Sequence, residues 1–100
     1  MTIENKKDGS SLTIIPKGRL DTLAAPEFEE KVMDSIEGIS DLVFDLSELE
    51  YVASSGLRVF LKAKKAMDEQ GTMVIRNVSE PIHDILEVTG FTNMLNIEYN

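Results

Sequence analysis

Residues 42–46 read Leu-Val-Phe-Asp-Leu, a short run that is almost continuously apolar. Such a strand suits a sheet covered on both faces, the usual state of a central strand in an α/β fold. The residues beyond it keep to that class. Leu57, Phe60, Leu61 and Met67 recur at helical spacing, with Lys62, Lys64, Lys65 and Asp68 on the wet side, and Gln70-Gly71 stops the helix. Thr72-Met73-Val74-Ile75 is the next strand. Ser79-Glu80-Pro81 then opens a third helix, in which Ile82, Ile85, Leu86 and Thr89 share one face up to Gly90. Strands alternating with helices predict parallel pairing and right-handed crossovers.

The first forty residues add two strands and a helix. A strand beginning near Ile3 closes at Asp8-Gly9-Ser10, a turn signal, and Leu12-Thr13-Ile14-Ile15 returns beside it as a hairpin partner. Pro16 cannot donate to a ladder, which predicts an edge or a strand end there. Asp21 or Thr22 caps the first helix, with Pro26 and Glu27 in its opening turn. Phe28, Val32 and Ile36 face the core, and Gly38 ends it. At the far end, Phe91 to Leu95 predicts a last helical turn and Asn96-Ile97-Glu98-Tyr99 a short strand. The order is β-β-α-β-α-β-α-β: one α/β domain over residues 1–100, with a mixed, mostly parallel sheet.

Charge narrows the partners. Eighteen acids against ten bases leave a net charge of −8, which disfavours nucleic acid and anionic membrane surfaces. There are no cysteines, so disulfides and thiol chemistry are excluded, and a reducing compartment fits. The first residues carry no apolar signal segment, and no run is long enough to span a bilayer. A cytoplasmic, monomeric protein without a cofactor is the expectation.

The chemistry concentrates between Asp45 and Leu61. Here a strand ends, a short polar loop intervenes, and Ser54-Ser55 opens the second helix. Hydroxyls at a helix start lie where unpaired N–H groups and the helix dipole favour negative charge, so a phosphate is well tolerated. The plainer account is that the serines cap the helix, and capping by Ser54 is compatible with modification of its neighbour. Arg58 lies close enough to fold onto such a phosphate, or it is a solvated arginine. His83 has no second histidine or cysteine to build a metal site, and Glu48 and Glu50 read as a solvated acidic rim. Ala53-Ser54-Ser55-Gly56 lacks the nucleophile elbow of a serine hydrolase, and no phosphate-binding loop is present. No enzyme is expected.

Three blocks carry a family resemblance: Gly18-Arg19-Leu20-Asp21, Asp45-Leu46-Ser47, and Ala53-Ser54-Ser55-Gly56-Leu57. At these spacings the chain resembles the STAS domain, in particular the free-standing bacterial anti-sigma factor antagonists. It departs from them at Ala53, where an acid is usual. The resemblance implies a protein whose unphosphorylated form binds an anti-sigma factor, itself an ATP-dependent serine kinase, and frees a sigma factor. It implies phosphorylation of Ser55, reset by a phosphoserine phosphatase, and a partner surface of Asp21, Ser54, Ser55, Gly56, Leu57 and Arg58. Two alternatives stay open: a STAS module that binds a partner without phosphorylation, in a signalling scaffold or lipid-trafficking complex, and a nucleotide-binding STAS domain.

Overall fold

The computed structural model describes residues 1–98. In chain order it contains β1 (Thr2–Asp8), β2 (Ser11–Leu20), α1 (Ala25–Ser35), β3 (Asp41–Asp45), β4 (Leu49–Val52), α2 (Ser54–Asp68), β5 (Thr72–Arg76), α3 (Glu80–Val88), a 3-10 turn at Phe91–Asn93 and β6 (Ile97–Glu98). The sheet runs β1-β2-β3-β5-β6, with β4 pairing β2. Among the described strands only β1 is antiparallel; it forms a hairpin with β2 through the turn at Gly9, whose φ of 62° suits a residue without a Cβ. The mixed, mostly parallel sheet is therefore as the residue pattern predicts, with one strand more. Of the expected last strand, Ile97–Glu98 pairs with β5 and Tyr99 lies outside the described residues.

The additional strand, β4, takes the place of the expected polar loop. β2 holds β3 along Ser11–Ile14 and β4 along Gly18–Leu20, both in parallel. Ser11 faces Asp41 whereas Leu20 faces Val52, so the β3–β4 path takes up extra residues against β2. They are absorbed at the Asp45-Leu46-Ser47 block and at an irregularity beside Gly18 and Arg19. Pro16 falls between the two parallel partners, so β2 tolerates it well inside the sheet, not at the edge or end where its missing N–H had placed it.

Asp45 makes the step between β3 and β4. Its Oδ1 accepts the Ser47 N–H and the Asn77 side-chain amide, each at 3.0 Å, while the Leu46 N–H donates to the Arg76 carbonyl at 3.0 Å. Partial burial works to raise the Asp45 pKa, but the Ser47 and Asn77 hydrogen bonds outweigh it and hold the carboxyl below its ordinary 3.8. A lowered folded-state pKa means that this stabilisation is present above about pH 4 and fades as pH falls through the folded value. Denaturant unfolding between pH 2 and pH 7 should therefore show a flatter acid limb for Asp45→Asn than for wild type. Parallel acid limbs would show that Asp45 has no such role.

Burial alternates along the central strands: Leu42, Phe44, Met73 and Ile75 point into the core, and Val43 and Val74 on the opposite face are only half buried. This corrects the expectation of a β3 covered equally on both sides. The covered face is held by three phenylalanines, Phe28 of α1, Phe44 of β3 and Phe60 of α2. Their ring centroids lie 4.9 Å (Phe44–Phe60), 5.7 Å (Phe28–Phe60) and 6.2 Å (Phe28–Phe44) apart, at tilted and edge-on angles that favour aromatic pairs. On α2 the buried positions are Gly56, Leu57, Val59, Phe60, Ala63 and Met67; Leu61 is half buried, and on α3 the C-capping Thr89 is exposed. At the far end of α2, Gln70 donates to the carbonyls of Ile36 (2.8 Å) and Ile39 (2.6 Å). A Cβ on Gly71 would come within 1.9 Å of the Ser40 carbonyl oxygen, so only glycine lets the chain pass there. These contacts lock the two helices together at the end remote from the paired serines.

Candidate functional site

The starts of α1 and α2 emerge side by side because β2 and β4 are neighbours: Leu20 pairs with Val52, and the Ala53 N–H donates to the Leu20 carbonyl at 2.8 Å. Gly56 makes the close approach possible. A Cβ there would meet Leu20 side-chain atoms at 2.6 and 2.8 Å and Val52 at 3.0 Å, so a larger residue would lift the helix start off the strand ends. The glycine in the Ser-Ser-Gly-Leu block is thus a packing requirement. Leu57, 1% exposed, belongs to the core. Neither buried residue offers a surface to a partner, and both leave the set of contact residues implied by the resemblance.

Asp21 organises the entry to α1. Its Oδ1 accepts the Ala24 N–H at 2.9 Å and its carbonyl accepts the Ala25 N–H at 3.0 Å. It therefore closes the turn through Thr22 and Leu23, while the helix N-cap proper is Ala24, which has no side chain able to cap. Leu23 projects from this turn with 91% of its surface exposed. No periodicity marks it, since it stands outside both flanking elements.

The start of α2 is bare. Its N-cap is Ala53, in extended conformation and without a capping side chain; Ser54 and Ser55 are the first two helical residues, and the first turn contains no acid. The expected cap by Ser54 is absent because the helix begins one residue too early for it. The Gly56 and Leu57 N–H groups reach the Ala53 carbonyl at 2.9 and 3.0 Å, but those of Ser54 and Ser55 have no helical acceptor. Replacing Ala53 by aspartate should supply both the cap and the countercharge, stabilising the fold by about 0.5–2 kcal/mol. A thermal unfolding midpoint unchanged from wild type would contradict this account of the helix start.

The two serines differ sharply. Ser54 is exposed. The Ser55 hydroxyl is buried and makes no hydrogen bond among the described residues, while the residue itself borders a cleft of about 360 Å³ between the helices with Thr22, Ala25, Pro26, Glu29, Arg58 and Val59. A kinase must bring its phosphoryl donor in line with the attacking oxygen, and the Ser55 oxygen is shielded from such an approach. The expectation that Ser55 is the acceptor thus meets a steric obstacle that Ser54 does not share. Arg58 is exposed and has no ion pair among the described residues, whereas Glu29 across the cleft is engaged by Lys62 at 3.5 Å. Elsewhere, Lys17 bridges Glu4 (3.0 Å) and Glu48 (3.4 Å), and Arg19 stacks 4.5 Å over the Tyr51 ring. Of the acidic rim, Glu48 stays exposed in its pair with Lys17, and Glu50 is exposed too. His83 lies 3.7 Å from Glu87 on α3, remote in the chain from both serines. Among the described residues no group of acids and histidine could hold a metal, and no helix is long and apolar enough to cross a membrane.

Known proteins share this architecture. A family model described as the STAS domain matches residues 2–100. The chain is 32% identical over 102 aligned residues to the anti-sigma-B factor antagonist of Listeria monocytogenes, covering 98% of this chain and 89% of the relative. It is 26% identical over 98 residues to that of Bacillus subtilis, covering 97% and 90%. Among solved structures, an anti-sigma factor antagonist from Mycobacterium paratuberculosis superposes with a TM-score of 0.84 at 18% identity, covering 96% of this chain and 83% of the other. The Bacillus cell fate determinant SpoIIAA in its phosphorylated form gives 0.74 at 16% identity, covering 97% and 91%.

Proposed function

The chain belongs to the STAS domain family, and from that premise we propose that it is an anti-sigma factor antagonist switched by phosphorylation at the start of α2. Two similar proteins carry that role in their names, both as antagonists of an anti-sigma-B factor, and SpoIIAA of the same fold has a phosphorylated form. The unmodified protein binds an anti-sigma factor through the turn at Asp21–Ala24 and the exposed side of the α2 start, releasing a sigma factor. The partner, a serine kinase using ATP, then phosphorylates the antagonist, and a phosphatase restores it.

The observation that carries this reading is the exposed Ser54 hydroxyl on a helix start that has neither cap nor acid. A phosphate there meets open N–H groups and a favourable dipole, while adding charge and bulk to the surface a partner would touch. Because the Ser55 oxygen is buried, the phosphoacceptor in this proposal is Ser54, not Ser55. The proposed contact residues are correspondingly Asp21, Ser54 and Arg58, with Ser55 behind them.

The test is a pull-down from native lysate with wild type, Ser54→Ala, Ser54→Asp and Ser55→Ala as baits. Wild type and both alanine variants should retain an ATP-binding anti-sigma factor that Ser54→Asp loses. Equal recovery by all four baits would favour a STAS module that binds its partner without switching. Retention of a nucleotide alone would favour a ligand-binding module.

A further inference from the structure

The switch leaves the placement of Arg58 unexplained. This residue sits in the first turn and a half of α2, where a cation opposes the helix dipole. In a chain with eighteen acids it has no carboxylate within ion-pairing distance among the described residues. The acids at the two helix starts are otherwise occupied: Glu27 of α1 pairs with Lys31, Glu29 with Lys62, and Asp21 accepts the Ala24 N–H. Arg58 also borders the α1–α2 cleft, together with Ser55, Glu29 and Thr22. An unpaired guanidinium and two N–H groups without helical acceptors thus share the start of α2 with one exposed serine. All of them are complementary to an anion.

We propose that Arg58 is an intramolecular clamp for a phosphate on Ser54. This rests on Ser54 being the phosphoacceptor. The spacing is i to i+4 with the anion nearer the N-terminus, the orientation in which helical ion pairs work best. Guanidinium and phosphate match as a two-pronged, charge-assisted pair. The phosphate is thereby drawn along α2 toward the α1–α2 cleft that Arg58 borders. Modification then does two things at one stroke: it adds a dianion and removes the free cation a partner would have met. The modified state is accordingly a distinct, ordered surface and not a loose charge.

The experiment uses protein carrying phosphoserine at position 54, incorporated during synthesis so that no partner kinase is needed, and follows the phosphate by ³¹P NMR from pH 4 to pH 8. The second ionisation, near pH 6 for an unconstrained phosphoserine, should lie about 0.3–0.7 units lower in the wild type than in Arg58→Gln, with Arg58→Lys between them. The thermal midpoint should rise on phosphorylation by more in wild type than in Arg58→Gln. Identical titration curves for the three proteins would overturn the clamp. That failure is separable from failure of the switch: partner release on phosphorylation with identical titrations removes only the clamp. A titration difference with undiminished partner binding removes the switch and leaves the clamp.

Discussion

Phosphate on Ser54 is expected to weaken binding to the anti-sigma factor by about 30- to 1,000-fold, equivalent to roughly 2–4 kcal/mol. The size comes from where the charge lands. Ser54 is exposed beside the hydrogen-bonded Asp21–Ala24 turn, so a partner contacting both must desolvate whatever stands on that oxygen. The protein already carries a net charge of −8, so long-range attraction selects a comparatively basic partner face, whose close contacts are arranged around a neutral hydroxyl. Adding about −1.5 to −2 charges with three bulky oxygens breaks that fit. Isothermal titration with purified partner reads the effect directly. Ser54→Asp should reproduce part of the loss, and Ser55→Ala, which removes only a buried and unbonded hydroxyl, should bind like wild type. Equal affinities for the modified and unmodified proteins would show that the helix start lies outside the interface.

The second large effect concerns the scaffold. Phe60→Ala should cost about 3–5 kcal/mol, a large part of the stability of a domain this size. Phe60 is fully buried and its ring meets both Phe44 and Phe28, so its loss opens a cavity where α1, α2 and β3 converge. Thermal unfolding should register a drop of roughly 4–8 °C for each kcal/mol lost. Phe60→Leu keeps much of the volume and should lose less. If Phe60→Ala unfolded within about 1 kcal/mol of wild type, the aromatic cluster would not be what holds the helix starts in register.

The parallel sheet and all three helices are legible in the sequence because each is marked by its own side chains: Leu42 to Leu46 for the central strand, Phe28-Val32-Ile36 and Leu57-Phe60-Met67 for two helix faces. β4 is not. Leu-Glu-Tyr-Val is short and half polar, and what makes it a strand is the edge that β2 offers beyond Ile14, a tertiary fact absent from local pattern. The Asp45-Leu46-Ser47 block is visible as a motif, but its physical role as the hinge between two strands depends on the Asn77 side chain, thirty-two residues away. The same holds at the site. Two adjacent serines look equivalent in sequence, and only the packing of α1 against α2 separates an exposed oxygen from a buried one. Helix periodicity points the same way: Ser55 is one position from the buried Gly56 and four from buried Val59, whereas Ser54 shares its side with exposed Arg58. Ala53 stands out in the sequence as a departure; its consequence, a helix start with no cap, depends on the place where the helix begins.

In the proposed function this helix start is a phosphorylation switch worked at Ser54. It is tested most directly by incubating the purified protein with its anti-sigma factor and ATP, then locating the phosphate by fragmentation mass spectrometry. A single phosphate on Ser54 is expected, with Ser55→Ala modified as readily as wild type and Ser54→Ala left unmodified. Phosphate on Ser55, or a stable complex in which neither serine is ever modified, would contradict it.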